Sequence, residues 1–189
     1  MSTQPTAYMS EEQYLEIERK AEYKSEYING QMFAMAGASL VHVQINSNVV
    51  FALRRNLSGS GCSVLFNDLR LRVPATRLYT YPDILVICGK PELADEHMDI
   101  VTNPTVIIEI LSPSTQSYDR GDKFAHYRAL PSLRDYLLVA QDRPQAEHWV
   151  RQPDGGWLFH EMSGSDAVIA LDSIGVRFNL AEAYDGVEL

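Results

Sequence analysis

Two short apolar runs constrain this chain more than any other feature. Ile84-Leu85-Val86-Ile87 follows Pro82-Asp83, and Val106-Ile107-Ile108-Glu109-Ile110-Leu111 carries a single charge inside it. Runs this short, rich in β-branched residues, read as buried strands. They predict a sheet at the centre of the molecule, packed against other elements. Each run also holds one carboxylate where a hydrophobe would be more stable, because burying an unpaired charge is expensive. Two readings follow. Asp83 and Glu109 each pair with an arginine or cap a loop, or they meet on adjacent strands and a hard divalent cation relieves their repulsion. An aspartate after proline at a strand start is common, so the second reading rests on the two residues together.

The rest of the chain supplies the layers. Ser10 with Gln13 forms a capping-box pattern and predicts a first helix to about Lys20. Residues 23–35 read as strand-turn-strand about Asn29-Gly30, a strong two-residue hairpin signal. Ser39 caps a second helix, along which Val41, Ile45, Val49, Leu53 and Leu57 recur every fourth residue. Val64 to Val73 alternates as one strand. Asp119 and Asp122 open a third helix that carries Phe124, Tyr127 and Leu130 toward the core. Strands follow at Asp135 to Val139, Glu147 to Val150, Trp157 to Glu161 and Val168 to Leu171, with Asp154-Gly155-Gly156 as a turn. The order predicts an α+β, α/β/α-like fold: a central mixed sheet flanked by helices, with extra antiparallel strands.

With 189 residues the chain is expected to form one domain over 10–189 behind a flexible tail at 1–9. No apolar run is long enough to span a bilayer, and Met1 to Tyr8 lacks the apolar core of a signal peptide, so a cytoplasmic protein is expected. Cys62 and Cys88 are too few for a disulfide framework and read as buried hydrophobes in a reducing compartment. The formal net charge of −9 argues against a broad phosphate-binding surface. A local basic strip remains open to it, built from Arg54, Arg55, Arg70, Arg72, Arg120 and Lys123, against the alternative of scattered solvated side chains. There is no Gly-rich phosphate loop and no serine nucleophile elbow. His97, His126, His148 and His160 lack metal-ligand spacing.

Proline-aspartate, an apolar strand, then a glutamate within a second apolar strand is the layout of the PD-(D/E)XK nucleases. Three phrases are more specific: Tyr81-Pro82-Asp83-Ile84-Leu85-Val86, Ile108-Glu109-Ile110-Leu111-Ser112-Pro113-Ser114-Thr115, and the stretch from Asp119-Arg120-Gly121-Asp122-Lys123 to Leu130. With Glu26-Tyr27-Ile28-Asn29-Gly30 and the helix bearing His42, the chain resembles the putative restriction endonuclease family of that superfamily over about residues 10 to 180. The resemblance implies a restriction-endonuclease-like core and a metal-dependent endonuclease acting on nucleic acid, DNA above all. It implies Mg²⁺ or Mn²⁺, one or two ions per site, held by Asp83, Glu109 and the backbone carbonyl of Ile110, and a homodimer.

One departure bears on activity. The superfamily places a lysine two residues beyond the glutamate, on the same strand face, and here that residue is Leu111. Lys123, from the following helix, is the candidate to take its role, or else a solvated surface lysine. Glu26 is a further catalytic candidate, or one end of a cross-strand ion pair. His42, with Asn46 one turn on, is a supporting residue near a carboxylate or phosphate, or a half-buried histidine satisfied by backbone. Asp68 is expected to pair with a neighbouring arginine. The rival reading is a binding or regulatory protein that keeps the nuclease fold without turnover, and a structural dimer with ordinary ion pairs is a third.

Overall fold

The computed structural model describes residues 8–189, so most of the expected tail lies outside the described residues. Helix α1 (Glu11–Glu18) starts at the Ser10–Gln13 capping box, whose two reciprocal bonds are both made, and stops short of Lys20. Strands β1 (Ser25–Ile28) and β2 (Gln31–Ala34) form the hairpin, with Ile28 opposite Gln31. Asn29 and Gly30 both have positive φ, 43° and 91°, as the primed turn of a two-residue loop requires. Helix α2 (Leu40–Asn56) is capped by Ser39 and buries Ile45, Val49 and Leu53.

The expected single strand from Val64 to Val73 is corrected to two. β3 (Cys62–Phe66) and β4 (Arg70–Val73) are separated at Asn67, whose φ of 68° turns the chain. They enter different sheets. The smaller sheet also takes β5 (Leu78–Thr80) and β7 (Ile100–Val101), in the order β2-β1-β5-β4-β7. The larger one contains β6 (Ile84–Cys88), β8 (Val106–Leu111), β9 (Asp135–Ala140), β10 (Gln145–Arg151) and β11 (Trp157–Ser163), in the order β11-β10-β9-β8-β6-β3. Only β8 and β9 run parallel there, so the sheet is mixed. Their crossover is one helical segment: α3 (Gln116–Tyr118), a π-helical turn (Asp119–Lys123) and α4 (Phe124–Tyr127).

Strand alternation divides the core. Ile84, Val86, Ile108, Ile110, Leu137 and Val139 face one way, toward α2. On that side they also meet the hairpin of β12 (Val168–Leu171) and β13 (Val176–Asn179), with the short helix α5 (Leu180–Ala183) behind it. Leu85, Ile87, Ile107, Leu111, Tyr136 and Leu138 face the other way, toward Phe124 and Tyr127 of α4. The central strands are therefore covered on both faces, which is why they read as unbroken apolar runs. The fold is α+β with a mixed central sheet between helices.

The cysteine reading is also corrected. β3 and β6 pair with Cys62 opposite Cys88, and the two form a disulfide. The partnership is a property of strand register, which two isolated cysteines in a sequence do not display.

Candidate active site

The site begins with alternation. Asp83 has the parity of Leu85 and Ile87, and Glu109 that of Ile107 and Leu111, so both point to the α4 side of the sheet. β6 pairs with β8 so that Ile84 opposes Ile108, and one further step sets Asp83 opposite Glu109. The pair is held through main chain as well. The Asp83 N–H donates to Glu109 Oε2 at 3.2 Å, and the Ile110 N–H donates to Asp83 Oδ2 at 2.7 Å.

Neighbouring elements fix the remaining oxygens. His42 Nε2 on α2 lies 3.1 Å from Asp83 Oδ1. Tyr127 donates its hydroxyl to Glu109 Oε1 at 2.9 Å, and the Lys123 ammonium lies 2.9 Å from the same oxygen. Lys123 also lies 3.4 Å from Asp119 Oδ1 and 3.6 Å from Glu26 Oε1. Thr80 Oγ1 donates to Glu26. All six residues proposed from sequence thus sit in one region: Asp83, Glu109, Lys123, Glu26 and His42 by side chain, and Ile110 by its backbone.

Three groups were not singled out from sequence. Tyr127 reads from sequence as a core residue, and its hydroxyl shows its partner only once α4 is docked. Asp119 reads from sequence as a helix opener, although its spacing of four from Lys123 is a visible pairing signal. Thr80 lies on β5, which the sequence reading did not identify.

Charges here are out of balance. Glu109 is 3% exposed. Burial pushes its carboxyl up to about 8; Lys123 opposes the rise, and Asp83 and Asp119 add to it. Burial disfavours the Lys123 ammonium, yet Glu109, Tyr127, Glu26 and Asp119 together hold its pKa well above the ordinary lysine value. Burial likewise raises Asp119. One ammonium thus lies within 3.6 Å of three carboxylates, and Asp83 stands beside Glu109 as a fourth. A divalent cation suits this set, because Asp83 and Glu109 offer hard oxygen donors and excess negative charge. Among the described residues no three His, Cys, Asp or Glu side chains form a ready-made metal cage. Two carboxylates fit Mg²⁺, which keeps several waters and completes its shell with substrate oxygens.

The pair opens into a cleft of about 1410 Å³, walled by α2, the β1–β2 hairpin, the end of β3 and the Ser112–Lys123 segment. Only part of the basic strip expected from sequence lines it: Arg54, Arg55 and Lys123 do, and Arg70, Arg72 and Arg120 do not. Arg70 is buried against Asp99 at 3.3 Å, Arg72 pairs with Glu11 at 2.8 Å, and Arg120 pairs with Glu147 at 2.8 Å. Arg55 pairs with Glu182 at 2.5 Å. Arg54 remains exposed on the cleft wall. Asp68 pairs with Lys24 at 2.8 Å, not with an arginine, because the turn at Asn67 takes it off the strand.

Comparison with known proteins agrees with this architecture. The family model described as "Putative restriction endonuclease" (Uma2) matches residues 11–181. Two Synechocystis sp. proteins, slr1290 and sll1609, each described as uncharacterized, are 35% identical to this chain. The first aligns over 183 residues, 97% of this chain and 95% of the relative; the second over 164 residues, 87% and 93%. The fold is similar to the crystal structure of a putative nuclease belonging to DUF820 from Anabaena variabilis. The TM-score is 0.76 at 19% identity, covering 94% of this chain and 98% of that one. At that identity the likeness speaks for the fold. No helix is long and apolar enough to cross a membrane among the described residues.

Proposed function

The chain belongs to the family described as putative restriction endonucleases, and from that premise we propose that it is a Mg²⁺- or Mn²⁺-dependent endonuclease that hydrolyses phosphodiester bonds, with DNA as substrate. One observation carries the reading: two paired-strand carboxylates, Asp83 and Glu109, face an open cleft with Lys123 2.9 Å from Glu109.

Asp83, Glu109 and the Ile110 carbonyl would hold the ion. When bound, it supplies Lewis-acid polarisation of the phosphate and a more acidic water. The chain's own groups do the rest. His42 and the Ile110 N–H hold the two Asp83 oxygens in place, and Tyr127 and the Asp83 N–H hold those of Glu109. Lys123 supplies a fixed positive charge in a water-poor site, where negative charge develops on the phosphoryl oxygens, and its N–H groups orient the attacking water. Glu26, steadied by Thr80, positions Lys123 from the opposite side. The reading includes a homodimer, checked by sedimentation velocity.

Leu111 favours a second reading, a binding protein with this fold and no turnover. It fills core where the superfamily's lysine stands and is 4% exposed. Cleavage of supercoiled plasmid and single-stranded oligonucleotides in Mn²⁺, wild type beside Asp83→Ala, separates the two. Cutting that disappears in a folded Asp83→Ala protein supports the endonuclease. Metal binding with no cutting of any substrate leaves the binding protein.

A further inference from the structure

We propose that the cleft takes an unpaired DNA strand, whose bases stack on Phe33, Phe51 and Phe66 while its phosphodiester reaches Asp83 and Glu109. The proposal rests on the endonuclease reading and names its substrate class. These phenylalanines are 48%, 66% and 38% exposed, and all three line the cleft. Single exposed hydrophobes are normal on a protein surface. Three phenylalanine rings around one concave site, with the exposed Tyr23 ring a fourth, are a different matter and mark a binding surface.

Their placement follows the site. Phe33 on β2 is paired with Glu26 on β1, and Phe66 on β3 is paired with Ile84, the residue after Asp83. Phe33 therefore stands beside Glu26, and Phe66 lies on the Ile84 face of the larger sheet, at the end of β3 that lines the cleft. Phe51 stands further out on α2, nine residues beyond His42, or roughly 13 Å along the axis. The Arg55 guanidinium lies 5.9 Å from the Phe51 ring centroid, and Arg54 is exposed on the same wall. Phe51, Arg54 and Arg55 thus share the α2 wall of the cleft.

The charge distribution chooses between duplex and single strand. Proteins grip duplex DNA mainly through phosphates, which takes many free cations. Here Arg70, Arg72 and Arg120 lie outside the cleft, paired with carboxylates, and of the cations that line it Lys24, Arg55 and Lys123 are paired with Asp68, Glu182 and Glu109. Single strands are held by base stacking on aromatic faces, with a few cations tracking the backbone. A cleft with three exposed phenylalanine rings and Tyr23 beside them, and little free positive charge, fits the second mode. The stacked bases must be unpaired, since paired bases keep their faces covered.

The test compares binding and cutting. A labelled 12-nucleotide single strand and its duplex are titrated with the full-length protein in EDTA and followed by fluorescence anisotropy. Single strand is expected to bind at least tenfold tighter, with a shallow salt dependence. Phe51→Ala and Phe33→Ala, both exposed positions, should each weaken that binding about tenfold. Phe51→Trp should retain it. Equal or tighter duplex binding overturns the proposal, as do phenylalanine variants that bind like wild type. So does a result in which Phe51→Ala only splits a dimer in sedimentation velocity, which would make this wall an interface between copies. Asp83-dependent plasmid cutting that ignores the phenylalanines leaves the endonuclease and removes the stacking cleft. Phenylalanine-dependent single-strand binding without cutting by the wild type in Mn²⁺ does the reverse.

Discussion

Lys123 Nζ lies 2.9 Å from Glu109 Oε1, and the two arrive from different elements, a π-helical turn and a central strand. The strand position that shares a face with Glu109 is Leu111, buried with Phe124, Tyr127 and Tyr136. Core packing thus claims the strand position, and the crossover helix supplies the charge. The π turn widens the backbone where Lys123 must turn in toward the sheet. Such turns often mark functional positions in helices.

Lys123→Gln removes that charge and leaves a hydrogen-bonding group of similar reach. We expect a cleavage rate about 10² to 10³ lower, the usual loss when one fixed electrostatic donor is deleted. Lys123→Arg should recover part of the rate. Removing one partner of a buried ion pair also destabilises, by about 3 kcal/mol. Circular dichroism melts must therefore accompany single-turnover kinetics. A folded Lys123→Gln protein that cuts at the wild-type rate would sink the assigned role.

Glu109 makes stability depend on pH in a direction opposite to that of most carboxylates. Its folded-state pKa is about 8, above the ordinary value of 4.5, so the folded protein holds this proton more tightly than the unfolded chain. The stability from this group is full below about pH 4.5 and is lost as pH rises to about 8. Metal-free wild type should lose melting temperature across that window relative to Glu109→Gln. Millimolar Mg²⁺ should restore more at pH 8 than at pH 6, because the ion competes with the proton for the same oxygens. Parallel curves for the two proteins, with no Mg²⁺ effect, would refute the charge imbalance.

His42 is expected to act on the position of Asp83. Its Nε2 lies 3.1 Å from Asp83 Oδ1, and the ring comes from a separate helix. His42→Ala should lower cleavage roughly tenfold to a hundredfold, as loss of an outer partner of a ligating group does, and weaken apparent Mg²⁺ affinity. His42→Gln should keep more of both. A rate change with unaltered metal dependence would argue instead for direct contact with substrate.

Sequence made the carboxylate pair legible because two central strands carried one charge each, and alternation then set their common face. The hairpin was legible because Asn29 and Gly30 accept positive φ. Distant pairings stayed hidden. Arg70, Arg72 and Arg120 looked like a basic strip until the fold supplied Asp99, Glu11 and Glu147. β5 and β7, at three and two residues, are too short to carry a period. Tyr127 shares its spacing with core residues, and only docking of α4 shows that its hydroxyl reaches Glu109.

The disulfide separates stability from chemistry. Cys88 closes β6 at the end away from Asp83, roughly 16 Å along the strand. β3, which carries Cys62, is an edge strand of the larger sheet and pairs with β6 alone. A bridge between positions separated by 26 in sequence removes unfolded-chain entropy worth about 3.5 kcal/mol. Cys62→Ser should therefore lower stability by about that amount in non-reducing buffer. Dithiothreitol should lower wild type equally and leave the variant unchanged. Single-turnover cleavage below the melting transition should not move in either case, since the bridge lies at the end of β6 away from Asp83. If dithiothreitol leaves the wild-type melt where it was, the cysteines are thiols in solution, as their scarcity in the sequence suggested, and the edge strand is held by its ladder and the α2 face alone.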